Sequence, residues 1–429
     1  MNNPFRKGID RVYFARAVFG EEEITAVSNA LREGWLGPAK YTEEFEKKVS
    51  AMFGKHYGLF VNSGTSANFL ALDIANLPKG SEVITQACTF PATLSPIVQK
   101  GFVPVFVDSK IGTYNIDVSQ IEQAISDKTK AIFISHAIGN VNDMRRLRQI
   151  CDRYNLILIE DACDTIGCRF AGRPTGEFSD IVTTSFYAAH NMTAAGGGGM
   201  VMVDDLEQIK EARMLTNWGS ALPESNDEDL ERRFSEKVDD VEFDSKFTYV
   251  KQTHNFKGVE IQAAFGLEQL KKLPSFNLTR RKNIQRLQDF FVQHKNHFIT
   301  PELHPEAEVY LLAFPLTVKE NSSVIKKDLV KHLEDSKIQT RPLFSGNILK
   351  HKAYKNIDRR VIGDLKNSDY IMKNSFLIGC HHGMSDEMVD YVIEKFEEYL
   401  RLANIKAVEK MREEVNQSFD RVINIMRLE

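Results

Sequence analysis

TTSFYAAHNMTAAGGGGMVM, residues 183–202, places a turn and four successive glycines between two apolar, β-prone ends. Threonine and aromatic residues running to Ser185-Phe186-Tyr187 suit a strand, and Met200-Val201-Met202 opens a second one. His190 falls in the turn between them, a poor place for an ordinary core histidine. An imidazole can take up and release a proton near neutral pH, but it carries no primary amine. The glycines at 196–199 match neither GxGxxG nor a phosphate-binding P-loop. We read them as backbone that needs torsions other residues avoid.

Upstream of this stretch, short apolar runs alternate with helical patterns. Tyr57–Val61, EVITQ, PVFVD, KAIFISH, LILIED and DIVTTSF read as strands. NFLALDIANL, VSQIEQAISD and MRRLRQICDRY read as helices between several of them. That alternation predicts an α/β fold with a mostly parallel mixed sheet covered on both faces, and a site at the carboxyl ends of its strands. Before the sheet, Ile24, Val27, Leu31 and Trp35 recur at helical spacing, with three glutamates at the positive end of the helix dipole. Residues 259–273 and 279–297 read as two helices, and EVYLLAFPLTV, 308–318, as one strand. IKKDLVKHLEDS and a helix begun by Ser385-Asp386 complete a smaller α/β unit. The expected division is 1–275 for an arm and large domain, with a charged surface insertion at about 219–245. Residues 276–429 then form a small C-terminal domain and a helical tail, which has the apolar spacing to pack on a partner subunit.

The 429 residues carry a net charge of -4, which offers no general attraction to nucleic acid or anionic membrane. No apolar run approaches the ~20 residues of a bilayer span, and the N-terminus lacks the apolar core of a signal peptide. The expected location is the cytoplasm. Five scattered cysteines, at 88, 151, 163, 168 and 380, contain no CxxC pair and suggest buried or half-buried thiols rather than a disulfide framework or a metal site.

Several motifs occur in an order that resembles the DegT/DnrJ/EryC/StrS sugar aminotransferases, over roughly residues 10–400. SGTSA, 63–67, lies between a strand and a helix, where backbone amides favour an anion. CTFPAT contains Phe90, LILIEDACD contains Asp161 and Asp164, and Ser185 ends a strand. HNFKGVEIQAA follows at 254–264, and QTRPLFSGNILK at 339–350. The resemblance implies an aspartate-aminotransferase-like (fold type I) architecture with pyridoxal 5'-phosphate or pyridoxamine 5'-phosphate as cofactor. It assigns Gly64, Thr65, Ser66 and Ser185 to the phosphate, Phe90 to stacking on the ring, and Asp161 to the ring nitrogen. Asp164 is placed near the cofactor hydroxyl. Asn255 is assigned to the phosphate of a neighbouring subunit, which implies a homodimer with shared active sites. Arg341 and Asn347 are the candidates for sugar contacts. Glu160 should point away from Asp161, because successive strand residues face opposite sides. Lys257 stands where the family has an arginine.

Members of the family normally have lysine at the His190 position, whose amine forms a Schiff base with the cofactor. Histidine there marks the 3-dehydratases of nucleotide-linked 4-keto-6-deoxyhexoses. Some of these enzymes carry an iron–sulfur cluster, and SFYAAH, the charged insertion and RPLFSGN resemble them. Yet WGSALPESNDEDLERRF, from 218, holds no cysteine where those enzymes have several. The resemblance therefore implies a cluster-free C3 deoxygenation in the biosynthesis of deoxysugars for surface polysaccharides such as lipopolysaccharide O-antigen. His190 would be the general acid/base and glutamate the amine donor. A nucleotide-sugar 4-aminotransferase and a catalytically degenerate homologue are the alternatives.

Overall fold

Seven apolar runs become the strands of one sheet, ordered 57–61, 199–203, 181–185, 157–161, 129–135, 82–86 and 103–107, with the short strand Arg360–Val361 at its edge. The computed structural model describes residues 4–222, 230–235 and 237–426. Gly199–Val203 runs antiparallel to both its neighbours, and the other strands are mutually parallel. Parallel neighbours require crossovers, supplied by helices such as Gly64–Ile74, Pro91–Gln99 and Met144–Tyr154.

Strand alternation sorts the core. Ile132, Ile134 and Leu158 pack into one cluster, while Ala131, Phe133 and Ile159 pack into another. Fully burying one such large side chain contributes about 1.5–3 kcal/mol. The same alternation separates the two carboxylates that end Ile157–Asp161. Glu160 turns to His136, with Oε1 2.9 Å from Nε2, and accepts a hydrogen bond from Ser179 Oγ at 2.7 Å. Asp161 faces the opposite side, as the strand pattern requires. Burial by itself would raise the Glu160 pKa, but His136, Thr175 and Ser179 outweigh it and hold the carboxyl below its ordinary value.

A separate three-stranded antiparallel sheet, Phe298–Ile299, Phe314–Val318 and Ser375–Ile378, packs with helices Lys326–Asp335 and Asp386–Met426. Ser385 caps the last helix, its Oγ accepting from Met388 N at 3.4 Å.

Three expectations need correction. The two helices expected at 259–273 and 279–297 are one helix, Glu260–Val292, which runs through Pro274 and through the expected boundary at 275. A helix-interior proline typically costs about 3 kcal/mol. Here Leu273, Phe276, Asn277 and Arg280 are all buried around it, and that packing overrides the local preference. The strand expected at 308–318 is broken into Ala307–Glu308 and Phe314–Val318. Between them, the carbonyls of Tyr310, Leu311 and Leu312 are used by side chains instead of a ladder: Asn191 takes the first and Arg280 the other two. The helix expected to carry Ile24, Val27, Leu31 and Trp35 is Glu21–Glu33 and ends before Trp35; Ile24, Leu31 and Trp35 are exposed, and Glu23 and Ala30 are buried. Residues 223–229 and 236 of the charged insertion lie outside the described residues; most of the described remainder is exposed.

The Glu160–His136 pair makes a pH-dependent prediction. Folding lowers the Glu160 pKa, so its contribution is complete above the unfolded value near 4.5 and fades as pH falls through the lower folded value. Breaking one side of such a pair typically costs about 3–5 kcal/mol. Glu160→Gln should therefore melt well below wild type at pH 7. The gap should narrow below about pH 4; a pH-independent gap would contradict this account.

Candidate active site

Asp161 ends its strand beneath two helix starts. Its Oδ2 accepts hydrogen bonds from Asn68 Nδ2 at 2.9 Å and Thr93 Oγ1 at 2.7 Å, and its Oδ1 accepts from Cys163 N at 3.2 Å. Asn68 is itself fixed by Thr183 Oγ1, 2.5 Å from its Oδ1. Asn68, Thr93 and Asp161 are all buried. A buried carboxylate is tolerated when its lone pairs are met by donors, and these three donors supply that. Sequence reading missed Asn68 and Thr93. The available signal was a polar residue on the apolar face of each helix.

The turn at 62–66 forms a cradle open to an anion. Ser63 Oγ caps the helix Gly64–Ile74 by accepting from Ser66 N at 3.1 Å, and Ser66 Oγ donates to Asn62 Oδ1 at 2.6 Å. Ser66 is thus held within the turn, and Gly64 and Thr65 provide the helix's leading amides. Ser185 closes the cradle: a Cβ at Gly64 would fall 2.7 Å from the Ser185 Cβ. The glycine run closes the other side. Gly198 has φ 108° and donates to Asn62 O at 3.1 Å, and a Cβ at Gly199 would meet the Ser63 carbonyl carbon at 2.4 Å. The unusual torsions expected of the run are present at Gly196 and Gly198.

His190 lies in a turn closed by its own N–H to Tyr187 O at 3.0 Å. The turn is fastened at its far end, where Thr193 Oγ1 donates to Phe186 O at 2.8 Å. His190 Nδ1 sits 2.9 Å from Asp164 Oδ1, but the approach is off-axis and Nδ1 makes no hydrogen bond. We read the contact as electrostatic. Asn191 links this turn to its surroundings, donating to Asp164 O at 3.3 Å and Tyr310 O at 2.8 Å. Arg280, fully buried, stands behind the same segment and donates to the Leu311 and Leu312 carbonyls. Burial lowers its pKa to about 10. Neither Asn191 nor Arg280 was singled out from the sequence.

Phe90 precedes the helix Pro91–Gln99 and is 54% exposed, so it is not a core side chain. Cys163 borders the cradle; burial first, then the Asp161 charge, pushes its thiol well up. Asn255 is exposed, and its Oδ1 accepts from Lys257 N at 3.1 Å. Burial, with the charge of Lys246, lowers the Lys257 pKa. Arg341 lies over the Phe14 ring, 5.0 Å from its centroid. Asn347 is buried, its amide engaged by Asp369 and by Leu349 N, so it holds its loop.

These residues fit a pyridoxal-type cofactor. There is an amide cradle sized by Gly64, a buried carboxylate with fixed donors, an exposed aromatic ring and an orphaned imidazole nitrogen, all at the carboxyl ends of parallel strands. Residues 18–397 match the model of the DegT/DnrJ/EryC1/StrS aminotransferase family, and the chain belongs to that family. It is 38% identical over 411 residues to the lipopolysaccharide biosynthesis protein RfbH of Salmonella typhimurium, covering 93% of this chain and 94% of that protein. It is 35% identical over 396 residues to a dTDP-4-dehydro-2,6-dideoxy-D-glucose 3-dehydratase of Saccharopolyspora spinosa, covering 90% and 85%. Among solved structures it resembles E. coli GDP-4-keto-6-deoxy-D-mannose-3-dehydratase with bound hydrated PLP. The TM-score is 0.82 at 30% identity, with 90% of this chain and 99% of that chain covered. The aminotransferase-like α/β fold expected from the sequence is therefore present.

Hydrogen bonds to a charged group contribute about 1.5–3 kcal/mol. Asn68→Ala should accordingly weaken pyridoxamine phosphate binding by roughly tenfold or more, read by fluorescence titration. An unchanged Kd would show that Asp161 needs no such support.

Proposed function

We propose that this protein uses pyridoxamine phosphate and pyridoxal phosphate to remove the C3 hydroxyl of a nucleotide-linked 4-keto-6-deoxyhexose, with glutamate as the amine donor. The observation that carries this reading is an imidazole, His190, at the strand-end turn where an amine-bearing residue would tether the cofactor. When bound, the cofactor supplies an amine that condenses with a ketone and a ring that accepts an electron pair. Gly64, Thr65 and Ser185 hold the phosphate, with Ser66 keeping the turn in shape. Phe90 supports the ring. Asp161 would stand against the ring nitrogen and favour its protonated form.

His190 moves the protons. Its Nδ1 lies 2.9 Å from Asp164 Oδ1, an electrostatic contact without a formed hydrogen bond, and Nε2 is the nitrogen we assign to take a proton and return it to the departing C3 hydroxyl. Glutamate balances the electrons: its oxidation to 2-oxoglutarate, with release of ammonia, matches the two-electron replacement of hydroxyl by hydrogen at C3. Arg341, over the Phe14 ring, is the residue we assign to contact with the sugar. This chemistry belongs to the assembly of deoxysugars for surface polysaccharide, in the cytoplasm where nucleotide sugars are made.

The working form is a homodimer. Ile24, Leu31 and Trp35 present an apolar stripe to the outside, and Trp218, Tyr249 and Val250 are exposed near Asn255. We take these exposed apolar residues as an interaction face. Asn255 would then complete the phosphate site of the partner subunit.

Incubation with pyridoxamine phosphate and a panel of 4-keto-6-deoxy nucleotide sugars tests the reaction. Mass spectrometry should show loss of the C3 oxygen, with repeated turnover only when glutamate is present. A 4-amino product would identify an aminotransferase instead. His190→Asn should lower kcat by about 10²–10⁴-fold, and His190→Lys should shift the product toward the 4-amino sugar; efficient deoxygenation by either would remove His190 from the mechanism. Light scattering should give twice the monomer mass, and Trp35→Asp should shift it toward the monomer. A monomeric, fully active wild type would refute the shared site.

A further inference from the structure

Arg280 projects from the helix Glu260–Val292 into the core and is fully buried. Its Nη1 donates to Leu311 O at 2.9 Å and Leu312 O at 3.0 Å, while Nε and Nη2 make no hydrogen bond. A guanidinium is costly to bury against neutral acceptors alone, and an apolar side chain of similar volume could fill the same space. The groups around it bring little compensating charge. Burial pushes the Cys168 and Cys380 thiols up to about 12, so both are neutral at neutral pH. Burial first, then the Arg280 charge, lowers His381 to about 3 and His382 to about 2, so neither ring is charged. Of the groups whose charge supports the guanidinium, that leaves the Asp164 carboxylate, 2.9 Å from the His190 ring.

The carbonyls that Arg280 holds lie in the broken strand at 309–313, and that segment is clamped from several directions. Leu312 N donates to Ile138 O at 3.0 Å, and Cys380 Sγ lies 3.6 Å from Leu311 O. A Cβ at Gly139, φ 83°, would fall 2.8 Å from Asp164 O and 3.3 Å from Leu312 N, so this segment and the Asp164 backbone pack without slack. The preceding carbonyl, Tyr310 O, accepts from Asn191 Nδ2 at 2.8 Å, and the same amide reaches Asp164 O at 3.3 Å. Asn191 directly follows His190 in the chain.

We propose that Arg280 is a positioning residue for His190: it fixes the carbonyl segment 310–312 from the core and, through Tyr310 O and Asn191, sets where the imidazole stands against Asp164. The duty of His190 as proton carrier rests on the functional reading above; its placement does not. A planar, fixed guanidinium defines two neighbouring carbonyls more sharply than a flexible ammonium, so Arg280→Lys keeps the charge and loosens the geometry. A small displacement of a group that moves protons lowers the rate without weakening ligand binding.

Two variants, Arg280→Lys and Asn191→Ala, and their double variant test this. The first readout is the nitrogen-15 spectrum of the imidazoles in cofactor-free protein, with the His190 signals identified by their loss in His190→Asn. Both single variants should move the His190 ring signals and leave those of the exposed His56 in place. The second readout is turnover of the loaded enzyme: kcat should fall about tenfold to a hundredfold, with sugar KM and pyridoxamine phosphate Kd unchanged. The double variant should be no slower than Asn191→Ala alone, because both residues act through one chain of contacts. If Arg280→Lys does not fold, Asn191→Ala decides the placement arm by itself. A lower melting temperature with unmoved His190 signals, or losses that add in the double variant, would overturn the proposal. A wild type that leaves every 4-keto sugar unchanged would overturn the functional reading, and the spectra, which need neither substrate nor cofactor, would still decide this inference.

Discussion

The hydrogen bonds that converge on Asp161 organise the site. One buried carboxylate, at the carboxyl end of a central strand, is held by a residue from each of two crossover helices and by the backbone of its own loop. Because Asn68 also accepts from Thr183, the same network registers the strand that leads to His190. Such a carboxylate is costly to bury alone and stable only when every donor is in place. The buried carboxylate, the helix start at Gly64 and the strand that leads into the histidine turn are therefore tied together by one set of contacts.

Around that anchor the histidine turn is held from both sides. Ser185, Thr193 and the glycine run define where it leaves and re-enters the sheet, and Asn191 binds it to the carbonyls of Asp164 and Tyr310. The broken strand at 309–313 is the structural cost of this arrangement, since its carbonyls serve Asn191 and Arg280. The Asp164–His190 approach is close but not a formed hydrogen bond.

Much of this was legible in the sequence because parallel strands buried on both faces read as continuous apolar runs. The opposite orientations of Glu160 and Asp161 followed from strand alternation, and the odd torsions of the glycine run from its composition. Periodicity could not reveal that Leu273, Phe276 and Arg280 would hold a helix straight through Pro274, because that stability comes from distant packing. Nor could it tell a core-facing stripe from an outward one: Ile24, Leu31 and Trp35 have the spacing of a buried face and are exposed. Asn68 and Thr93 escaped notice because a polar residue in an apolar helix declares a partner without naming it.

The central claim is that His190 works on a cofactor the protein never binds covalently. Its most direct test is intact-mass and peptide analysis after borohydride treatment of the protein loaded with pyridoxal phosphate. The account requires an unmodified polypeptide and full release of the cofactor on denaturation. A reduced adduct on any lysine of the chain would contradict it.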